Sequence, residues 1–168
     1  GACNTTMGQG SLNSNTTGAT NTAFGYLALS TNTTADNNTA VGVSALEDNT
    51  TGYSNTAVGK FAAQCNTTGA ENAVFGSAAL QKNTTGDENT AIGNQALRCN
   101  TTGQRNVAVG NSSLAANTTG SHNTAVGGQS LKANTEGIDN AALGKIALCS
   151  VTTGDSNTGT GRFAGGNV

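Results

Sequence analysis

The sequence predicts an all-β fold, a parallel β-solenoid in which about ten 17-residue coils stack along one axis. A fixed period of this kind is the signature of stacked repeats. Helix is disfavoured, because Gly, Asn and Thr are poor helix formers and dominate the repeat. We expect one solenoid domain over residues 1–168, on the order of 48 Å tall for ten strands about 4.8 Å apart. The repeat begins without insertion or deletion at Asn49, Asn66, Asn83, Asn100 and Asn117.

Two residue columns without exceptions predict where each coil turns. A glycine recurs every 17 residues from Gly8 to Gly161, and glycine is favoured where the chain needs a positive φ or a close backbone approach. An asparagine recurs in the same way from Asn4 to Asn157. Asparagine tolerates the left-handed region, and stacked copies form hydrogen-bonded ladders. The predicted corner and ladder positions include Gly25, Gly59, Gly93, Asn21, Asn55 and Asn89.

The apolar columns predict which side chains face the core. The residue before the invariant glycine, such as Val58, is apolar in every coil until Thr160, so we expect it to point inward. The residue four positions after the glycine, such as Leu80, is expected to do the same. Because residues two apart in a strand share a face, Thr56 is predicted to point inward and Ala57 outward.

Three pieces of each coil have a strand-like sequence, and the core that they enclose is thin. In one coil these pieces are Thr50-Thr51, Thr56-Ala57-Val58 and Ala62-Ala63. Two large apolar side chains per coil contribute roughly 1.5–3 kcal/mol each, against an ordering cost of about 1–2 kcal/mol per residue. We therefore predict a partner chain that covers an outward alanine column, namely Ala23, Ala40, Ala57, Ala91 and Ala125.

Composition disfavours several classes of partner. The formal net charge of −2 supplies no basic field for nucleic acid. No apolar run approaches the roughly 20 residues of a membrane span. The chain starts at Gly1 without Met or a signal-like segment, so we expect a mature product or a fragment. Neither end carries a distinct capping repeat, which predicts a piece of a longer fibre or end-to-end stacking.

The segment Gly52-Tyr53-Ser54-Asn55-Thr56-Ala57-Val58-Gly59-Lys60-Phe61-Ala62 resembles the head repeat of YadA-type trimeric autotransporter adhesins, Gly-x-x-Ser-Val-Ala-Ile-Gly-x-x-Ala. This resemblance implies a left-handed parallel β-roll, three identical chains about one axis, and surface attachment. The present coil is longer around Asn-Thr-Thr. In that longer form it also resembles repeat arrays of large bacterial surface proteins and of phage or giant-virus fibre proteins. A three-sided monomeric β-helix is the alternative.

Four cysteines, Cys3, Cys65, Cys99 and Cys149, are the candidates for cross-links. Cys65 and Cys99 share a column two coils apart, roughly 9.6 Å from the strand spacing, which exceeds the limit of about 7 Å between the Cα atoms of a disulfide. No pair within one chain is expected to close. The sequence is compatible with disulfides between chains and also with four free thiols. No cofactor or metal is expected, since one His and no Cys-x-x-Cys pair are present.

The glycosylation pattern Asn-x-Ser/Thr recurs with every Asn-Thr-Thr. The polar-ladder interpretation is favoured there, because an asparagine that points into the stack cannot carry a sugar. The variable-corner sites Asn37 and Asn111 are the better candidates for glycosylation.

The sequence therefore predicts a non-enzymatic, extracellular or cell-surface fibre or filament subunit that is adhesin-like, trimeric and able to stack end to end. Its partners would be copies of itself, together with host-surface, matrix or glycan ligands at the variable corners. A phage or viral fibre segment is one alternative. An ice-binding or carbohydrate-binding solenoid is another, although adjacent Thr16 and Thr17 point to opposite faces and give each face one threonine rank.

Overall fold

Ten short strands form one parallel sheet in which the strand order follows the chain order. The structure is a computed structural model that describes residues 2–165. Each coil contributes one three-residue strand and then continues through turns and bends, and no helix is present within residues 2–165. The strands are β1 Thr5–Met7, β2 Thr22–Phe24, β3 Thr39–Val41, β4 Thr56–Val58, β5 Ala73–Phe75, β6 Thr90–Ile92, β7 Val107–Val109, β8 Thr124–Val126, β9 Ala141–Leu143 and β10 Thr158–Thr160.

The register of the sheet is the sequence repeat itself. Each residue pairs with the residue 17 positions further along, so that Thr56 lies opposite Ala73 and Val58 lies opposite Phe75. Backbone hydrogen bonds also join successive coils outside the strands, as when Ala63 N donates to Ala79 O over 2.9 Å. The prediction of a parallel β-solenoid with 17-residue coils is confirmed.

Only one of the three predicted strand-like pieces is a strand. Thr50-Thr51 lies in bends and Ala62-Ala63 lies in a turn. For the Ala62-Ala63 piece the reason is that Phe61 and Ala63 adopt a left-handed conformation, with φ 61° and 47°. A left-handed residue ends an extended segment, so the chain bends where the composition suggested a strand.

The predicted orientation of the strand was wrong. Ala57 is fully buried, whereas Thr56 and Val58 are partly exposed and point outward. Alternation along a strand shows which residues share a face, but the width of the interior decides which face is buried. Here the interior beside the strand is narrow. It accommodates the small methyl group of Ala57 but not the larger side chain of Val58, the residue that precedes the invariant glycine.

The predicted outward alanine column therefore does not form an interface. Ala23, Ala40, Ala57, Ala91 and Ala125 are all 0% exposed in the isolated chain. They pack in the core with a column of leucines that begins at Leu29 and includes Leu80 and Leu97. The leucine column points inward, as predicted.

Two buried asparagine ladders run through the stack. In the first ladder Asn55 N donates to Asn38 Oδ1 over 2.9 Å, and Asn55 Nδ2 donates to Gly69 O over 2.8 Å. The same ladder includes Asn21 and Asn89. In the second ladder Asn66 Nδ2 donates to Asn49 Oδ1 and to Gly69 O, both over 2.8 Å. Buried polar groups need such partners, and the ladders supply them in the centre of each coil.

The invariant glycines lie where coils approach each other most closely. Gly59 has φ 139°, and a Cβ atom there would lie 2.6 Å from Gly76 O. Gly25 and Gly93 occupy equivalent positions, with φ 140° and 128°. The second glycine column also lies at a close approach of coils, because a Cβ atom on Gly52 would lie 2.3 Å from Gly69 O and 2.5 Å from Asn49 Oδ1 in the ladder.

Candidate functional site

The most distinctive surface of the molecule is the outward side of the sheet. It is formed by the first and third residues of the ten strands, and we call it the sheet face. The third residues make a continuous apolar column from Met7 to Leu143, and none of the strand residues is charged. Five of these side chains are strongly exposed, namely Met7 (68%), Phe75 (43%), Ile92 (40%), Val126 (38%) and Leu143 (48%).

The first residues of the strands add a polar column beside the apolar one. Seven of them are threonines that point to the same side as the apolar column, and the remaining three are Ala73, Val107 and Ala141. The sheet face therefore combines hydroxyl and apolar groups without a formal charge. Contiguous apolar surface of this extent is typical of interaction sites.

Negatively charged residues collect on the side of the sheet face that precedes each strand. The two residues before the first-ladder asparagine form an exposed corner, which we call the acidic corner. Its basic residues are His122 and Arg105, and Arg105 Nη2 lies 3.0 Å from Glu88 Oε1. The hydrogen bond from Arg105 lowers the pKa of Glu88. The acidic residues of this corner are Asp36, Glu71, Asp87, Glu88, Asp139 and Asp155.

Positively charged residues collect on the opposite side, directly after the invariant glycine. We call this position the basic corner, and its charged residues are Lys60, Lys145 and Arg162, all exposed. Lys60 Nζ lies 4.8 Å from the centre of the Phe61 ring, and Arg162 lies 4.7 Å from that of Phe163. The sheet face is thus bordered by an acidic edge and a basic edge.

A third corner, which follows the leucine column, holds three of the predicted cross-linking residues, and two of them, Cys65 and Cys99, share one position of the repeat and are half-buried. Burial raises the pKa of the Cys65 thiol, and the neighbouring Asp48 carboxylate adds to the effect. Burial also raises the pKa of Asp48, with a further contribution from Glu47. A thiol with a raised pKa forms less of the reactive thiolate, so Cys65 is poorly suited to disulfide formation.

The other two cysteines differ in position. Cys3 is exposed and lies in the acidic corner with φ 60°, whereas Cys149 is half-buried beside Ser150 in the third corner. All four thiols are free in this structure. Of the four, Cys3 is the most accessible to another chain.

The two preferred glycosylation candidates, Asn37 and Asn111, are exposed. Asn37 Oδ1 accepts a hydrogen bond from Thr20 Oγ1 over 2.6 Å, and Asn111 Nδ2 donates to Asn94 Oδ1 over 3.3 Å. Each lies on a different side of the sheet face, with Asn37 in the acidic corner. The repeated Asn-Thr-Thr asparagines of the second ladder are buried from Asn32 to Asn134, so a sugar could not reach their side chains.

The acidic corner contains a shallow groove of about 220 Å³, lined in part by Tyr53, Glu71 and Glu88. Two of its carboxylates already have partners within the chain, because Asp87 Oδ1 accepts from Ala70 N over 2.8 Å and Glu88 is paired with Arg105. Within residues 2–165 no group of three or more His, Cys, Asp and Glu side chains is arranged to hold a metal ion. In the same part of the chain, no helix is long and apolar enough to cross a membrane.

Sequence reasoning missed the sheet face because it placed Val58 and its equivalents inside. A signal was present in the side-chain sizes. The second strand position is held to Ala in most coils, whereas the third varies from Val to Phe, Met, Ile and Leu. A narrow interior requires a constant small volume, and an exposed surface does not.

Comparison with protein-family models, curated proteins and solved structures gives no match to this chain.

Proposed function

We propose that this chain is a non-enzymatic, adhesin-like subunit of an extracellular fibre, and that copies of it associate side by side through the sheet face. The observation that carries the proposal is the exposed apolar column from Met7 to Leu143, which has no charged residue among its strand neighbours. The resemblance of the repeat to trimeric adhesin heads supports three chains per assembly and a role in surface attachment.

The size of the sheet face supports an interface that also includes its edges. Ten strands at a spacing of about 4.8 Å and three residues per strand give a strip on the order of 400 Å². A stable interface buries about 800 Å² per partner. The acidic and basic corners run along the whole strip, and an interface that includes them reaches the required area.

A second copy of the chain is the occupant that fits the periodicity of the sheet face. The apolar side chains recur once per coil, at the strand spacing, over nine successive strands. Only a surface with the same repeat can meet each of them equivalently. The varied sizes, from Val58 to Phe75, favour protein packing, in which large and small side chains interdigitate.

Two substitutions on the sheet face test this proposal. The double variant Phe75→Asp and Ile92→Asp places charges on two exposed strand positions, and each lost apolar contact is worth roughly 1.5–3 kcal/mol. We expect association to weaken at least about 100-fold, with an unchanged circular dichroism spectrum. The measurement is mass in solution by analytical ultracentrifugation, together with negative-stain images.

The matched control is Thr85→Asp with Thr102→Asp, which adds the same charges at exposed positions on another side of the coil. This control should associate like the unmodified chain. A compact monomer without filaments for the unmodified protein would overturn the proposal.

Ice binding is a second candidate, and one observation favours it. The outward threonine column, which includes Thr22, Thr39 and Thr56, recurs at the strand spacing and carries no charge. The Asn-Thr-Thr threonines are less suitable, because Thr67 Oγ1 donates to Thr84 O over 2.9 Å. The adjacent apolar column varies in size, which disfavours contact with a regular lattice. Thermal hysteresis that is lost in Thr39→Lys and Thr56→Lys would establish this function instead.

A further inference from the structure

We propose that the two charged corners fix the direction and register of this association: neighbouring chains run parallel, and the acidic corner of one copy meets the basic corner of the next. The inference rests on the proposed lateral association through the sheet face. It adds the orientation of the partner and the residues that select it.

The two edges of the sheet face carry unequal charge. Within the described residues, the acidic corner holds six carboxylates, one guanidinium and the imidazole of His122, and the basic corner holds three cations and no carboxylate. The one ion pair within residues 2–165 joins Arg105 to Glu88 inside the acidic corner. Lys60, Lys145, Arg162 and Asp139 therefore have no ion-pair partner among the described residues of their own chain.

The charged edges distinguish a parallel from an antiparallel arrangement of two neighbouring chains. When two such faces meet with their solenoid axes parallel, a rotation about that axis brings the acidic edge of one copy against the basic edge of the other. When the axes are antiparallel, each edge meets the same edge of the partner. Like charges placed opposite each other oppose binding, and opposite charges favour it. A ring of three parallel chains gives the same acidic-to-basic contact at every interface.

The sequence positions of the charges also match in register. Asp139 and Lys145 belong to the same coil, as do Asp155 and Arg162, because each pair flanks one strand of the sheet. In a parallel assembly without axial shift, Lys145 of one copy faces Asp139 of its neighbour at the same level, and Arg162 faces Asp155.

The remaining charges agree with this register. Lys60 lies one coil from Asp36 and one coil from Glu71, so it has a carboxylate on either side across the interface. The arginine of the acidic corner, Arg105, shares its coil with Asn111 in the basic corner. No two cations are therefore placed opposite each other.

Charge reversal and restoration test the orientation. The variant Lys145→Glu with Arg162→Glu makes both edges acidic. We expect association to weaken at least about tenfold at low salt, because exposed pairs contribute modestly and several are lost per interface. The fourfold variant that also carries Asp139→Lys and Asp155→Lys exchanges the signs of the edges in these coils and should restore association.

A matched control keeps the same change in net charge away from the sheet face. Lys82→Glu with Lys132→Glu alters two exposed lysines of the third corner and should leave association unchanged. Salt gives an independent reading: the parallel arrangement predicts association that weakens as salt rises, and the antiparallel arrangement predicts association that strengthens.

Zero-length carbodiimide cross-linking tests directly which charged residues of neighbouring chains lie opposite each other. With a mixture of isotopically light and heavy chains, we expect mixed-label peptides that join Lys145 to Asp139. Association that persists while Lys145 couples to no acidic-corner residue of another chain, or that strengthens with salt, would overturn the orientation alone. A protein that stays monomeric at every salt concentration would overturn the lateral association as well.

Discussion

The two sides of one strand obey different constraints. In β6 Thr90–Ile92, Ala91 faces the core and is 0% exposed, whereas Ile92 is 40% exposed. The inward position is alanine in seven of the ten strands and Thr6, Val74 and Gly159 in the other three, whereas the outward position takes five different apolar residues before Thr160. The inward side is therefore fixed by the stack, and the outward side is free to vary with whatever it contacts.

This contrast separates folding from assembly. The interior is closed within a single chain by alanines, leucines and two asparagine ladders, so a coil does not need a second chain to bury its core. The sheet face contributes little to the isolated fold. Substitutions in the core should thus change the stability of the fold, whereas substitutions on the sheet face should change association. Neighbouring residues from the two regions provide the most direct tests.

The largest effect on stability is expected one residue beyond the sheet face. In Gly93→Ala the new Cβ atom would lie 2.7 Å from the backbone of Gly110, at φ 128°. Strain and displaced backbone together should lower the free energy of unfolding by about 4 kcal/mol. Thermal or denaturant unfolding measures this loss in the free energy of unfolding.

Gly161→Ala is the matched control, because Gly161 also has a positive φ of 111° but has nothing within 4 Å of the added Cβ. Its cost should be confined to backbone strain, about 1–3 kcal/mol. Equal losses in the two variants would show that coil stacking is not what excludes a side chain at Gly93.

A smaller effect is expected from the paired variants Leu97→Ala and Ile92→Ala. Leu97 is fully buried in the core, so its truncation leaves a cavity and should lower the free energy of unfolding by about 3 kcal/mol. Ile92 points outward, and its truncation should change the unfolding of a dilute monomer by less than about 1 kcal/mol. A comparable loss for Ile92→Ala would place that side chain in the folded core after all.

The smallest expected effect is an increase in the free energy of unfolding, caused by a substitution at the end of the second ladder. Asn134 Oδ1 is buried and accepts no hydrogen bond, because Val151 occupies the next asparagine position. In Val151→Asn the new amide should donate to Asn134 Oδ1 and stabilise the fold by about 0.5–1.5 kcal/mol. Val151→Asp has the same shape without the donor and should be less stable than the unmodified chain. No gain for the asparagine variant would mean that the ladder does not extend there.

The fold class could be predicted because the period alone identifies stacked coils. The conformation within a coil could not, and Leu97 shows why. This leucine has φ 51°, a left-handed conformation that costs an isolated non-glycine residue of order 1–3 kcal/mol. Local preference argues against it, and only stacking against the neighbouring coils makes it favourable. The left-handed residues Phe61 and Ala63 likewise exclude the strand that composition suggested at Ala62-Ala63.

The candidate interaction surface was predicted least well. Alternation correctly placed Thr56 and Val58 on one face, but the identity of the inner face depends on the volume enclosed by the whole coil. Apolar character was taken to mean burial, although exposed apolar residues are common on protein surfaces. The acidic and basic columns were visible in the sequence, but they acquire significance only when the strand between them is known to face outward.

The side-chain oxygens of the asparagine ladders accept hydrogen bonds in one direction along the solenoid, and this direction is related to the order in which the coils are synthesised. Asn38 Oδ1 accepts from Asn55, and Asn49 Oδ1 accepts from Asn66, so these side-chain oxygens receive their hydrogen bonds from a coil that is synthesised later. A finished coil at the growing end therefore presents ordered acceptors to the next 17 residues, and every contact spans a short stretch of chain. Repeat proteins propagate structure between neighbours, and this polarity favours coil-by-coil folding from the amino end while the chain is still emerging.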